Sequence, residues 1–120
     1  MAEPLHVVVE TPDYLRDAKR AGMTARDLHN AVQSYARIPG QGDEIVGSGG
    51  VRKGRLAGRG KGKSGGYRII AVHIDETMPV YLNGVLSKGD RETFTDNEIK
   101  AFKTVTEALK AVHRRRRGRM

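Results

Sequence analysis

Gly49-Gly50-Val51-Arg52-Lys53-Gly54-Arg55-Leu56-Ala57 is followed, after a glycine-rich run, by Ser64-Gly65-Gly66-Tyr67-Arg68-Ile69-Ile70-Ala71-Val72-His73-Ile74. The segments Val51 to Ala57 and Tyr67 to Ile74 read as strands, short and rich in aliphatic residues. Between them, Gly58 to Gly66 has five glycines among nine residues. Such a run cannot hold a helix and is expected to move in the free protein. Strand side chains alternate with period two, so Lys53 and Arg55 should share a face, with Arg68 returned beside them by the second strand. From Arg52 to Arg68 there are seven cations (Arg52, Lys53, Arg55, Arg59, Lys61, Lys63, Arg68) and no acid. The pattern predicts fixed positive charge on a sheet beside a basic loop.

Working outward, Pro79 to Ser87 is a third strand signal, joined to the second through the polar hairpin Asp75-Glu76-Thr77-Met78. Upstream, Leu5 to Glu10 is a short β-branched strand. Thr11-Pro12 reads as an N-cap with proline at the first helical position, opening a helix to about Arg20 that Gly22 ends. Thr24, with Asp27 three residues on, starts a second helix whose Leu28, Ala31, Val32, Tyr35 and Ile38 form a stripe for the sheet. Pro39-Gly40 stops it, and Gln41 to Gly50 reads as a loop. Downstream, Thr95-Asp96-Asn97-Glu98 is a capping box with Phe94 and Ile99 as a hydrophobic staple. Ile99, Phe102, Val105, Leu109 and Val112 mark that helix's apolar stripe. The expected fold is α+β in the order β-α-α-β-β-β-α, an antiparallel sheet of about four strands with helices packed against it. Residues 1–113 form one domain, and 114–120 a disordered basic tail.

A chain of 120 residues holds one modest core. Its charge is uneven: +7 over residues 52–68 and +5 in Arg114 to Arg117 plus Arg119, against a total of +8, leaving −4 for the remainder. That asymmetry points to a polyanionic partner, nucleic acid before membrane, since no amphipathic basic helix with bulky apolar residues accompanies the charge. Without cysteine, disulfide and thiol chemistry are excluded. No apolar run approaches membrane-spanning length and no basic-then-apolar leader opens the chain, so a cytoplasmic protein is expected.

Gly62-Lys63-Ser64 echoes the end of a phosphate-binding loop. Ala57 stands in place of the first glycine, and a strand rather than a helix follows, so the helix N-terminus that would hold phosphates is missing. Four scattered histidines, His6, His29, His73 and His113, show no ligand spacing, and Ser64 and Ser87 lack an elbow motif; neither a metal site nor a serine triad is supported, and no cofactor is expected. The basic cluster is most simply a solvated patch for RNA or an acidic protein face. Fixed charges on adjacent strands repel, however, and are better tolerated where a polyanion uses them. Such a cluster can orient an RNA phosphate and stabilise charge developing on it, while a lysine depressed in pKa by neighbouring cations takes a proton from a 2′-OH. Lys88, at the end of the last strand, is placed to join it. The arginine tail reads as an electrostatic arm adding nonspecific affinity.

Asp43 to Lys53, then Gly60-Lys61-Gly62-Lys63-Ser64-Gly65-Gly66-Tyr67-Arg68-Ile69-Ile70, then Pro79 to Lys88, together with Glu10-Thr11-Pro12 and two helices, resemble the HigB-type branch of the RelE/ParE toxin superfamily. The likeness covers nearly the whole chain except the arginine tail. It implies the toxin of a type II toxin–antitoxin pair, a small RNase that enters the ribosomal A site and cuts mRNA without metal. Its partners would be ribosome, mRNA and a cognate antitoxin carrying a helix-turn-helix DNA-binding domain. By motif position, Lys53 and Arg55 resemble the paired basic residues of the first central strand, Lys53 being the base. Arg68 resembles the arginine of the GGYR motif, stabilising the phosphorane or assisting the leaving group, and Lys88 the lysine closing the last strand. Arg52, Arg59, Lys61, Lys63 and Ser64 would contact RNA. Two positions depart from the pattern: Gly54 replaces a bulky apolar residue, implying thinner packing under Lys53, and Phe94-Thr95 stands where the RelE branch has a tyrosine. Tyr67 should face away from Arg68, into packing.

Two other functions fit the sequence. A ParE-like poison of a DNA topoisomerase (gyrase) would need no RNA chemistry. A non-catalytic RNA-binding protein would bind in a salt-sensitive way and leave RNA intact. With four Tyr and two Phe, and no aromatic pair on a strand, base stacking is weakly supported.

Overall fold

The computed structural model describes residues 5–57, 66–86 and 94–118. Among them the chain forms β1 (Val8–Glu10), α1 (Pro12–Ala21), α2 (Ala25–Arg37), β2 (Asp43–Glu44), β3 (Val51–Leu56), β4 (Tyr67–Val72), β5 (Val80–Leu86) and α3 (Asp96–Gly118).

Local capping chemistry starts each helix. Thr11 Oγ1 accepts the Tyr14 N–H at 3.2 Å, with Pro12 in the first position of α1. Gly22 closes α1 at φ 83°, a left-handed turn that glycine adopts without strain. At α2, Thr24 Oγ1 accepts from Asp27 N–H (3.1 Å) and the Asp27 carboxylate from Thr24 N–H (3.0 Å), a complete capping box. Thr95 and Glu98 repeat it at α3, at 3.2 and 2.9 Å. Phe94 and Ile99 pack against the same apolar cluster, as a staple requires.

The α+β class holds, but the sheet is mixed and five-stranded, in the order β1-β5-β4-β3-β2. β1 runs parallel to β5, and the other pairs are antiparallel. The expected all-antiparallel sheet of about four strands is corrected at both edges. β1 reaches β5 across most of the chain, so no hairpin fixes its direction. β2 carries no strand signal in the sequence, because Asp43 and Glu44 are poor strand formers; it pairs by placing Asp43 opposite Lys53 and Glu44 opposite Arg52. A bulge between Ile70 and Ala71 leaves Asn83 unmatched in β5. There Asp17 of α1 accepts the Val85 N–H at 3.3 Å, and a Cβ on Gly84 would lie only 3.1 Å from that carboxylate.

Both faces of the sheet are covered. Tyr14, Ala18 and Tyr35 from α1 and α2 pack on Ile69, Ala71, Val80, Leu82 and Val85. Ile99, Phe102 and Leu109 from α3 pack with Ile45, Val51, Ile70 and Val72 on the other face. β4 is therefore buried over four consecutive residues, Ile69 to Val72. Two stripe assignments shift. Ile38 is exposed because it caps α2 outside the helical turn. Val105 is also exposed; Thr106 takes its place in the core, with Oγ1 donating to the Phe102 carbonyl at 2.9 Å. The helix continues through Arg114, Arg115 and Arg116 to Gly118, so the segment expected as a disordered tail from residue 114 is an extension of α3. Arg119 and Met120 lie outside the described residues.

Candidate active site

Arg55 on β3 lies directly opposite Arg68 on β4, and Lys53 opposite Ile70. Side chains of directly opposed residues start about 5 Å apart, and those two along a strand about 7 Å apart. Lys53, Arg55 and Arg68 thus form a triangle of cations on the sheet face that also carries Val51, Ile70 and Val72. Arg55 is exposed, Lys53 and Arg68 half-buried. Arginine forks and a lysine ammonium both pair with phosphate oxygens, so three cations gathered on one face suit a phosphate.

The strand carrying Lys53 is held from three sides. Gly42 (φ 94°) lets the chain cross close to β3: a Cβ there would meet the Lys53 carbonyl at 2.5 Å. Ser48, fully buried, ties the turn before β3, its Oγ donating to the Ile45 carbonyl (2.5 Å) and accepting the Val51 N–H (3.1 Å). Beneath Gly54, on the opposite face, the Tyr35 hydroxyl occupies the space a side chain would need. The expectation of thinner packing under Lys53 is corrected, because α2 fills the gap. Burial holds the Tyr35 phenol well above its usual range, and does the same to Tyr14, with the charge of Glu10 and then Tyr35 adding to it. Neither hydroxyl has a hydrogen-bond partner among the described residues.

Other sequence-predicted residues fall elsewhere. Arg52 faces the α1–α2 side, where its Nη2 donates to the Gly42 carbonyl at 2.9 Å, and is not brought to the triangle. Tyr67 also points away from Arg68, as expected. Its hydroxyl is 3.4 Å from the Gly22 carbonyl, and burial, then the nearby Asp27 carboxylate and a hydrogen bond with it, raise its pKa. Phe94 meets Phe102 edge to face at 5.1 Å and Thr95 caps α3, so both are structural. Lys88, Arg59, Lys61, Lys63 and Ser64, and the mobility expected of the loop at 58–66, lie outside the described residues apart from Gly66. Sequence reasoning missed Asp43, which sits opposite Lys53 in register. The signal was there, since Asp43-Glu44 mirrors the sign of Arg52-Lys53.

Fold and site define a small α+β domain with a basic sheet face suited to a polyanion. The chain belongs to the RelE toxin family: the model described as the RelE toxin of the RelE/RelB toxin–antitoxin system matches residues 7–118. A toxin of that system has an antitoxin for a partner. Among the described residues, no helix is long and apolar enough to cross a membrane.

Proposed function

We propose that the protein is a HigB-type toxin of a type II pair that cuts mRNA in the ribosomal A site, in the cytoplasm. The observation carrying this reading is the direct opposition of Arg55 and Arg68 with Lys53 on the same face, in a family whose toxins are generally ribonucleases. In the proposed reaction, Lys53 takes the proton of a 2′-OH. The 2′ oxygen bonds to the adjacent phosphorus and the bond to the 5′ oxygen breaks, leaving a 2′,3′-cyclic phosphate and a 5′-hydroxyl. Arg55 and Arg68 hold the equatorial oxygens as charge builds on them, which is the main way such a site lowers the barrier. Lys88, assigned from sequence alone, returns a proton to the leaving oxygen, and Arg59, Lys61, Lys63 and Ser64 grip the flanking strand. The charge needed comes from side chains, so the chemistry proceeds without a metal ion.

Primer extension on a reporter mRNA in a cell-free translation mixture tests this, beside ribosome-free and Lys53→Ala/Arg68→Ala controls. Discrete in-frame cuts requiring both ribosomes and the basic pair are expected. Intact mRNA overturns the reading, and trapped DNA–gyrase complexes in its place would establish a ParE-like poison.

A further inference from the structure

We propose that the C-terminal turns of α3 form a second polyanion site that takes the phosphate ridges on either side of a groove in a nucleic-acid duplex. Arg114, Arg115 and Arg116 are helical and exposed, and none is ion-paired to a described residue. The helix is anchored just before them. His113 Nε2 lies 3.0 Å from Thr77 Oγ1, and Thr77 is itself held by the Asp75 carboxylate through its N–H (2.8 Å) and hydroxyl (2.6 Å). This pins the end of α3 to the turn joining β4 to β5. Arg68 stands at the far end of the same hairpin, opposite Leu86. Its separation from Val72 alone is about 13 Å of strand. The arginine turns are therefore a separate site from the sheet triangle, and they carry on past the last anchor.

Their arrangement selects the ligand. Successive helical residues are rotated by about 100°, so three in a row spread over about 200° of the helix circumference. An acidic peptide lying along one side would engage one or two of them. A helix end seated between two phosphate ridges meets negative charge on both flanks, and arginine forks pair well with phosphate oxygens. Complementing the helix dipole accounts for cations in a last turn. It does not call for three adjacent ones, whose mutual repulsion opposes it. The inference is independent of the RNA-cleavage reading, since it needs no chemistry at the triangle.

The test uses the full chain in a Lys53→Ala/Arg68→Ala background, so that RNA stays intact. Fluorescence anisotropy follows binding to a short RNA hairpin, a DNA duplex of the same length and poly-glutamate, over a range of salt. Arg114→Gln/Arg115→Gln/Arg116→Gln keeps good helix formers in place, and the corresponding triple lysine variant keeps the charge. Loss of three phosphate contacts should reduce the slope of log affinity against log salt by about 2 to 3 for a duplex, and the lysine variant should restore most of it. The RNA and DNA arms tell which duplex is the source. A slope unchanged by the glutamine variant, with both duplexes, overturns the proposal. So does poly-glutamate binding as tight as the duplex and equally lost, which would assign the site to an acidic protein segment.

Discussion

The hydroxyl of Tyr35 sits where a side chain on Gly54 would be, on the face of β3 opposite Lys53 and Arg55. Read along the chain, Gly54 looks like a deficit under the basic strand. The residue that fills it lies in the last turn of α2, across a loop and β2 in sequence, which no local pattern reveals. The pair should behave as one unit. Gly54→Ala is expected to cost about 1–3 kcal/mol through overpacking. Tyr35→Phe removes a buried hydroxyl that has no partner among the described residues, so by itself it should be neutral or mildly stabilising. In urea melts the double variant should recover a good part of the alanine cost; strict additivity would show that the two sites do not touch. The same burial has a pH signature. Tyr14 and Tyr35 are raised above the unfolded value of about 10, so the unfolded chain releases their protons first. Their contribution is complete below about pH 10 and is lost as pH rises beyond it. Tyr35→Phe should flatten that alkaline fall in stability, and an unchanged slope would show that another group titrates there.

Helix starts were legible because capping is local: Thr11, Thr24 and Thr95 each announce themselves within four residues, and each cap is present. Strand partners were less so. The parallel pairing of β1 with β5 and the two-residue β2 depend on contacts distant in sequence, and Asp43-Glu44 shows no strand propensity. The stripe of α3 holds at Ile99, Phe102 and Leu109 and misses by one residue only at Val105, for a similar reason. A stripe through Val105 and one through Thr106 are both helical, and the glycine turn before β3 favours the second, since a Cβ on Gly49 would lie 3.6 Å from the Thr106 methyl. That turn depends on Ser48. Ser48→Ala leaves the buried Val51 N–H without its acceptor, so a loss of about 1–3 kcal/mol is expected in thermal or chemical melts. A loss well below that range would mean another group takes over the bond. Because Val51 leads directly into Lys53, the cleavage proposed for the triangle should fall as well, and partly recover at low temperature where the fold is intact.

Across the whole molecule, sheet alternation turns a continuous basic sequence into two separate surfaces. Arg52 and Lys53 are adjacent and alike in charge, yet Arg52 reaches back to the Gly42 carbonyl on the α1–α2 side while Lys53 joins Arg55 and Arg68 on the α3 side. Composition announces the polyanion but does not sort its contacts; period-two alternation separates Arg52 from Lys53 and Arg55, and the β3–β4 register adds Arg68. If charge alone governed function, as in a binding protein without chemistry, alanine at either position would weaken RNA association to a similar extent. If Lys53 is the base, Lys53→Ala should lower the rate of mRNA cleavage by about 10²-fold or more. Arg52→Ala should leave the rate close to that of the unsubstituted chain and show its effect in stability, through the lost Gly42 bond and the loosened β2 edge. Cleavage assays read beside melting curves of the two variants separate these cases. Equal losses of cleavage would remove Lys53 from the chemistry and reduce the triangle to a patch of charge.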